Sequence, residues 1–178
     1  MSLKAFVICI MDLYFLSTAQ AAIGGQSKYG CALPPGLQTE TSRKYPGTRL
    51  LGRADLDEHD RELFRKEHGA GCPGLVSVDF YGDGKPTWAL VLISKEGSKR
   101  KVEFVVAHQV ADRWEIRSLE MTDGTPVVWR EAPGKYSDVY GGKTIKATHP
   151  VIVLCGYESW AILYAWTGEE VDKVWISD

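Results

Sequence analysis

The sequence lacks several features that would point directly to a function. Its 178 residues carry 21 basic and 23 acidic side chains, so no excess of positive charge favours nucleic acid or an anionic membrane as a partner. The Gly-x-Ser-x-Gly motif of the nucleophile-elbow hydrolases is absent, and no internal repeat is visible. Beyond the N-terminus, no segment approaches the roughly twenty apolar residues of a membrane span. We therefore expect no nucleic-acid partner and no membrane span after the N-terminal segment is removed.

The N-terminus has the pattern of a secretory signal peptide. Lys4 precedes an apolar segment over residues 5–16, which Asp12 interrupts, and Ala19-Gln20-Ala21 fits the small-x-small cleavage pattern. This predicts a signal peptide over residues 1–21 and a periplasmic or secreted protein. An N-terminal anchor or a wrongly assigned start is the alternative.

Cysteine is scarce, with four residues in the chain. Cys9 would leave with the signal peptide, and an exported protein can form disulfides. Cys31 and Cys72 both lie in segments rich in Gly and Pro, so we predict that they form a bridge. Cys155 follows an apolar run and is expected to be a buried strand thiol.

An acidic loop over residues 79–86 precedes a strongly apolar segment. Alternating acidic residues around a glycine are typical of calcium loops, which need roughly six to eight oxygen ligands. Asp79, Asp83 and Gly84 match this pattern, whereas Tyr81 and Thr87 stand where further ligands are expected. We predict a structural turn whose Asp side chains accept hydrogen bonds from backbone N–H groups. A calcium site at Asp79 and Asp83 is the alternative.

Residues 79–89, Asp-Phe-Tyr-Gly-Asp-Gly-Lys-Pro-Thr-Trp-Ala, resemble the D-F-N-G-D-G-K-P-D-x-A core of FG-GAP or VCBS-type repeats. Such repeats occur in β-propellers and in many bacterial exported proteins. The resemblance covers eleven residues in a single copy, whereas a propeller repeats its motif in every blade. It therefore implies one strand–loop–strand unit and a bacterial source, rather than a propeller.

The remaining pattern predicts a single α+β domain over residues 22–178, with one N-terminal helix followed by a mostly antiparallel meander sheet. Residues 22–53 are expected to be an irregular lead-in with a short strand near 48–51. The helix is predicted over 54–69, with Asp55 as its cap, Glu58 completing a capping box and Gly69 ending it. Short turns between strands favour antiparallel pairing. The β-rich region is 75–178, with strands at 75–79, 88–94, 102–109, 114–119, 127–130, 143–148, 151–157, 160–166 and 173–177.

Histidines offer few candidates for catalysis. His59 and His68 are nine residues apart on the predicted helix, so they do not form a metal-binding i, i+4 pair, and we expect them to be solvated. His108 is expected to be a satisfied strand histidine. Cys155 and His149 could share a face of one strand as a nucleophile and its base, although an inert thiol fits the apolar context better.

Aromatic residues suggest a binding face. Trp129, Tyr136 and Tyr140 lie in a region rich in Gly and Pro, which is typical of recognition loops. Glu158 and Trp160 lie in a loop that interrupts an apolar hairpin, and this loop is either a turn or part of a ligand site.

We therefore expect an exported, non-enzymatic domain that binds an envelope protein or glycan, with an inhibitor or immunity protein as one form. Two alternatives stay open. One is a cell-wall or glycan hydrolase that uses Glu158 with Glu131 or Asp138. The other is a purely structural domain stabilised by calcium at Asp79 and Asp83. We expect no other cofactor.

Overall fold

The computed structural model describes residues 31–96 and 99–177, so the predicted signal peptide and residues 22–30 lie outside the described residues. The described chain contains two α-helices, α1 (Pro35–Lys44) and α2 (Glu58–His68), and a 3-10 turn at Arg53–Asp55. Its strands are β1 (Arg49–Leu50), β2 (Leu75–Val78), β3 (Thr87–Glu96), β4 (Lys99–Val110), β5 (Arg113–Thr122), β6 (Val127–Glu131), β7 (Gly134–Ser137), β8 (Thr144–Ala147), β9 (Val151–Gly156), β10 (Trp160–Trp166) and β11 (Val171–Ser177). None of the helices within these ranges is long and apolar enough to cross a membrane.

The strands form three antiparallel sheets. The first has the order β1-β3-β4-β5, with β2 also paired to β3, and the second has the order β11-β10-β9-β6. The third is the β7–β8 hairpin. The antiparallel, β-rich character is as predicted, but the single meander is wrong: β6 pairs with β9 across the chain segment that forms the hairpin.

The core is built on the alternation of side chains along β3. Leu90 and Leu92 point to one face of the first sheet and pack with Leu37 of α1. Val91 and Ile93 point to the other face and pack with the second sheet. The outer face of the second sheet is covered by the β7–β8 hairpin. The domain therefore consists of four layers, in the order α1, first sheet, second sheet and hairpin.

Helix α1 corrects the prediction of an irregular lead-in and of a single helix. Pro35 occupies the start of the helix, where its fixed φ is favourable and its missing N–H costs nothing. Only Leu37 and Thr41 are buried. Two buried positions in a polar segment give too weak a periodic signal to identify a helix from sequence.

Helix α2 is shorter than predicted at its N-terminus. Asp57, not Asp55, is the cap, and its carboxylate accepts a hydrogen bond from the Asp60 N–H at 2.9 Å. Gly69 ends the helix with a φ of 61°, as predicted. Asp55 instead belongs to the 3-10 turn and holds the Arg49 guanidinium with two hydrogen bonds of 2.7 and 2.5 Å.

Cys31 and Cys72 form the predicted disulfide. The bridge ties the segment before α1 to the turn before β2, across 41 residues of sequence. Cys155 is the free thiol within the described residues and lies half-buried in β9. The bond therefore fixes the segment that leads into α1 to the first sheet.

We expect the double variant Cys31→Ser, Cys72→Ser to lose roughly 2–4 kcal/mol of unfolding free energy, because the bridge restricts the unfolded chain. Urea unfolding monitored by tryptophan fluorescence measures this loss. Cys155→Ser, which keeps the bridge, is the control. Three alkylatable thiols in the unreduced, denatured mature chain would show that the bridge does not form.

The pair of Arg49 and Asp55 predicts a pH dependence. Its hydrogen bonds hold the pKa of Asp55 at about 2, below the value of an unfolded Asp near 3.9. Because the folded pKa is lowered, the pair contributes stability that is present above pH 4 and is lost as the pH falls towards 2. Asp55→Asn should therefore destabilise the protein at pH 6 and much less at pH 2.5, with Asp112→Asn in an exposed turn as the control. An equal loss at both pH values would contradict the assignment.

Candidate binding surface

The acidic loop between β2 and β3 is held together by its own carboxylates. Both oxygens of Asp79 accept a hydrogen bond from the Gly84 N–H at 3.3 Å, and Asp83 Oδ1 accepts one from the Lys85 N–H at 3.0 Å. Gly82 and Gly84 have positive φ values of 70° and 78°, which glycine adopts without strain. The loop is thus a turn whose Asp side chains bond the backbone, as predicted.

His108 connects this loop to the first sheet. It is buried on β4, with Nε2 at 3.1 Å from Asp83 Oδ2 and Nδ1 at 2.9 Å from Thr87 Oγ1. A carboxylate only accepts hydrogen bonds, so Nε2–H donates to Asp83, and in the neutral imidazole the Thr87 hydroxyl donates to Nδ1. Both ring nitrogens are satisfied, which confirms the prediction of a satisfied strand histidine.

Aromatic rings close over the same loop. The Tyr81 ring packs edge-on against His108, at 4.7 Å between centroids, and against Trp166, at 5.1 Å. The His149 imidazole lies so close to Gly82 that a Cβ there would come within 2.1 Å of the ring. His149 therefore packs on the loop.

The contacts of the loop side chains show how many of them could act as calcium ligands. The Asp79 and Asp83 carboxylates already accept hydrogen bonds, Tyr81 belongs to the aromatic stack, and Thr87 is fully buried. Over residues 31–96 and 99–177, no group of three or more His, Cys, Asp or Glu side chains is arranged to hold a metal. The donor set therefore does not fit calcium, which needs at least six oxygens.

A second group of chemically active side chains lies where α2 meets β6 and the turn between β9 and β10. We call it the α2 surface. Its members combine carboxylates, histidines, aromatic rings and a thiol along α2, β6, the last part of β9 and the turn that follows β9. They are His59, Asp60, Glu67, His68, Trp129, Glu131, Cys155, Tyr157 and Glu158.

Glu158 lies at the tip of the turn over residues 157–159, between the paired residues Gly156 and Trp160. Its φ is 55°, a left-handed conformation that is uncommon for a residue with a side chain. Its carboxylate lies 2.9 Å from His59 Nε2 on α2. The hydrogen bond to this carboxylate raises the pKa of His59. Both side chains are exposed, so the turn presents a charged pair to solvent.

Trp129 is held from two sides. The His68 ring packs against it at 4.9 Å between centroids, and its indole N–H donates to Glu131 Oε1 at 2.9 Å. Burial lowers the pKa of His68, which also packs against Phe64. His59 is solvated as predicted, but the prediction for His68 is wrong, because His68 is half-buried between two aromatic rings.

Tyr136 lies near the same carboxylate. Its hydroxyl donates to the Ala132 carbonyl at 2.6 Å. Burial raises the pKa of Tyr136, and the charge of Glu131 adds to this increase. The structure therefore brings Trp129 and Tyr136, two of the predicted site residues, to the neighbourhood of Glu131.

Tyr157 and Cys155 form the inner part of the α2 surface. The Tyr157 hydroxyl donates to Glu67 Oε2 at 3.4 Å. Burial, followed by the charge of Glu67, raises the pKa of Tyr157, and burial raises the pKa of Cys155 to about 11. At neutral pH both groups keep their protons, so neither is an activated nucleophile. This finding argues against a catalytic role for Cys155.

Tyr140 lies beside β11, at the opposite edge of the second sheet, and Trp160 lies on β10, opposite Gly156. Tyr140 is 65% exposed in the turn between β7 and β8. Asp138 fixes that turn to β11, since its carboxylate accepts from the N–H groups of Tyr140 at 2.8 Å and Trp175 at 3.3 Å. The Trp160 ring packs with that of Trp175 at 6.2 Å. Three strand spacings, roughly 14 Å, separate β11 from the strand of Trp129.

The predicted site residues therefore do not form one cluster. Trp129 and Tyr136 lie near Glu131. Glu158 contacts His59 of α2, Trp160 follows the turn that holds Glu158, and Tyr140 lies beside β11. The three carboxylates considered for hydrolysis have different partners: Glu158 contacts His59, Glu131 accepts from Trp129, and Asp138 fixes the backbone. The sequence did not indicate the contacts of His59 with Glu158 or of Glu67 with Tyr157, which join residues 90 or more positions apart. No local pattern signals such pairs.

Comparison with known proteins adds no relative: no protein-family model, no curated protein and no solved structure matches this chain.

We expect neither 5 mM CaCl₂ nor an excess of chelator to change the melting temperature, because a ligand that binds only the native state must stabilise it. Differential scanning calorimetry measures the shift. Asp79→Asn and Asp83→Asn should lower the melting temperature equally with and without calcium, because their partners are N–H groups and His108. A calcium-dependent increase that both variants abolish would contradict this prediction.

Proposed function

We propose that this protein is an exported, non-enzymatic binding domain for an envelope protein or glycan, and that it binds through the α2 surface. The observation that carries the proposal is the strained turn at Glu158, which presents an exposed carboxylate beside His59 of α2.

The backbone at Glu158 supports a role in recognition. A positive φ at a residue with a side chain costs of order 1 kcal/mol or more, and such strain concentrates at functional sites. A glycine would relieve the strain but would remove the carboxylate. The protein thus keeps a carboxylate at a position where glycine would be more stable.

The chemistry of the α2 surface supports binding rather than covalent catalysis. Cys155 and Tyr157 keep their protons at neutral pH, while the carboxylates of Glu67 and Glu158 are accessible from solvent. Half-buried aromatic rings beside exposed carboxylates provide an apolar contact and directional hydrogen bonds together, as recognition sites do. An inhibitor or immunity protein that presents this surface to an envelope enzyme is one form of the proposal.

The disulfide supports the proposed location. Bridges persist in oxidising compartments such as the bacterial periplasm. The bridge and the absence of a spanning helix over residues 31–96 and 99–177 are compatible with an extracellular location. The proposal that this location is a bacterial envelope is based on the signal-like N-terminus and the FG-GAP-like loop.

The test is affinity capture from an envelope extract with the tagged chain from Ala22 onwards, read by mass spectrometry and repeated with Glu158→Gly, Glu158→Gln and Ala111→Gly. Ala111 also has a positive φ, 51°, but lies in the β4–β5 turn, so its variant is a matched control. Both glycine variants should keep or raise the unfolding free energy, by up to about 1 kcal/mol. Glu158→Gly and Glu158→Gln should reduce capture at least tenfold, and Ala111→Gly should not.

Equal capture by all four proteins would overturn the assignment to the α2 surface. If no protein partner is captured, assays of peptidoglycan binding and hydrolysis distinguish a glycan-binding domain from a hydrolase. Binding without turnover would support a glycan ligand. Turnover that is lost in Glu158→Gln would favour the hydrolase alternative and contradict a non-enzymatic domain.

A further inference from the structure

A small cavity of about 250 Å³ is lined by β1, the last part of β3 and the first part of β4. Its walls include Gly47, Arg49, Ile93, Ser94 and Arg100. We call it the arginine pocket. Among the described residues that line it, two are cationic and none is acidic. Its volume is below the range of about 300–1,000 Å³ that is usual for organic ligands, so it suits a group of the size of a small ion.

The pairing of the strands brings the two arginines to one face of the first sheet. Arg49 on β1 pairs with Ile93 on β3, which in turn pairs with Val102 on β4. Arg100 precedes Val102 by two positions, and side chains two positions apart on a strand share a face. The side chains of Arg49, Ile93 and Arg100 therefore point to the same face, on three neighbouring strands.

Both arginines contact the same aspartate. Arg49 donates to the two carboxylate oxygens of Asp55 at 2.7 and 2.5 Å, and Arg100 Nη1 donates to the Asp55 backbone carbonyl at 3.3 Å. The hydrogen bonds from Arg49 lower the pKa of Asp55, and the charge of Arg100 adds to this decrease. The Asp55 side chain is only 7% exposed and is not among the residues that line the cavity. The three groups thus carry one net positive charge, and the two cations are the members that face the cavity.

The guanidinium groups are accessible and have donors to spare. A guanidinium has five N–H donors, and Arg100 donates one described hydrogen bond and forms no ion pair with any side chain that the structure describes. The Arg49 side chain is 59% exposed, and Arg100 is half-buried. A Cβ on Gly47 would meet no atom within 4 Å, so the cavity is open on that side. A small anion can therefore reach the N–H groups of both arginines.

This arrangement favours a phosphate group over other small ligands. A neutral ligand would leave the positive charge uncompensated, and a carboxylate has two oxygens, which a single guanidinium fork satisfies. A phosphate group has three or more acceptor oxygens and up to two charges, so it can accept from two guanidinium groups at once. In the sequence, residues 95–101 of the adjoining hairpin include four basic residues and one acidic residue, which increases the attraction of anions.

We propose that the arginine pocket binds a small soluble phosphate, either inorganic phosphate or a phosphomonoester whose phosphate group enters the cavity, with Arg49 and Arg100 donating to different oxygens of that group. Arg49 keeps its pair with Asp55 and uses its remaining N–H groups. This site is independent of the α2 surface and of the function proposed there.

The test titrates sodium phosphate, glycerol phosphate and sodium acetate into the ¹⁵N-labelled chain from Ala22 onwards, at pH 7.5 and constant ionic strength, and follows the amides by NMR. Both phosphates should cause saturable shifts around residues 47–50, 93–94 and 100–102, and acetate should bind more weakly. Arg100→Gln should weaken the binding of both phosphates roughly tenfold, the worth of a hydrogen bond between charged groups. Because both arginines are partly exposed, the affinity should also fall as NaCl is added.

Arg113→Gln is the matched control. It removes the same charge from an exposed arginine of the same sheet, next to the β4–β5 turn, and it should bind phosphate like the parent. The double variant Arg49→Gln, Asp55→Asn removes one guanidinium together with its carboxylate. It leaves the net charge unchanged and no lone charge buried, and it should weaken phosphate binding even if Arg100→Gln fails to fold.

The proposal is overturned if neither phosphate causes saturable shifts around the arginine pocket. It is equally overturned if the folded variants at Arg100 and Arg49 bind phosphate as tightly as Arg113→Gln. Cosedimentation with vesicles of phosphatidylcholine and phosphatidic acid tests the other source of a phosphate group, a lipid head group. Binding to these vesicles without any response to the two soluble phosphates would assign the site to a membrane surface and would also overturn the proposal.

Discussion

The two-sided burial of β3 is the constraint on which the rest of this structure depends. A strand that is apolar on both faces must be covered on both faces, because each exposed face would leave several large side chains in water. Leu90 and Leu92 require α1, and Val91 and Ile93 require the second sheet. Val153 and Leu163 point to the outer face of the second sheet, and the β7–β8 hairpin covers them. Each of the four layers is therefore needed to cover an apolar face of its neighbour.

Polar chemistry is found where these layers end. Glu120 on β5 accepts hydrogen bonds from Tyr164 and Lys173 and so connects the two sheets at one side. The α2 surface lies at another boundary, where α2 meets β6 and the turn between β9 and β10. Groups that are half-buried in such places keep some contact with solvent while their positions are fixed by the core, which suits recognition.

The acidic loop is ordered by interactions within the protein. Its carboxylates accept hydrogen bonds from the loop's own N–H groups, and Asp83 also accepts one from His108. The Tyr81 ring packs against His108 and Trp166. Backbone hydrogen bonds, an imidazole donor and aromatic packing together fix the shape of the loop.

The sequence by itself determined the local features of this protein: most strands, the turn formed by the acidic loop, the end of α2 at Gly69 and the pairing of Cys31 with Cys72. Each depends on neighbouring residues or, for the disulfide, on the small number of cysteines. Only the tertiary structure decided the partition into three sheets, the helical state of α1, the ion pair of Asp55 and the grouping of Glu67 with Tyr157. These depend on contacts between distant segments, whose free energy arises only when the layers pack together and leaves no periodic signal in the chain.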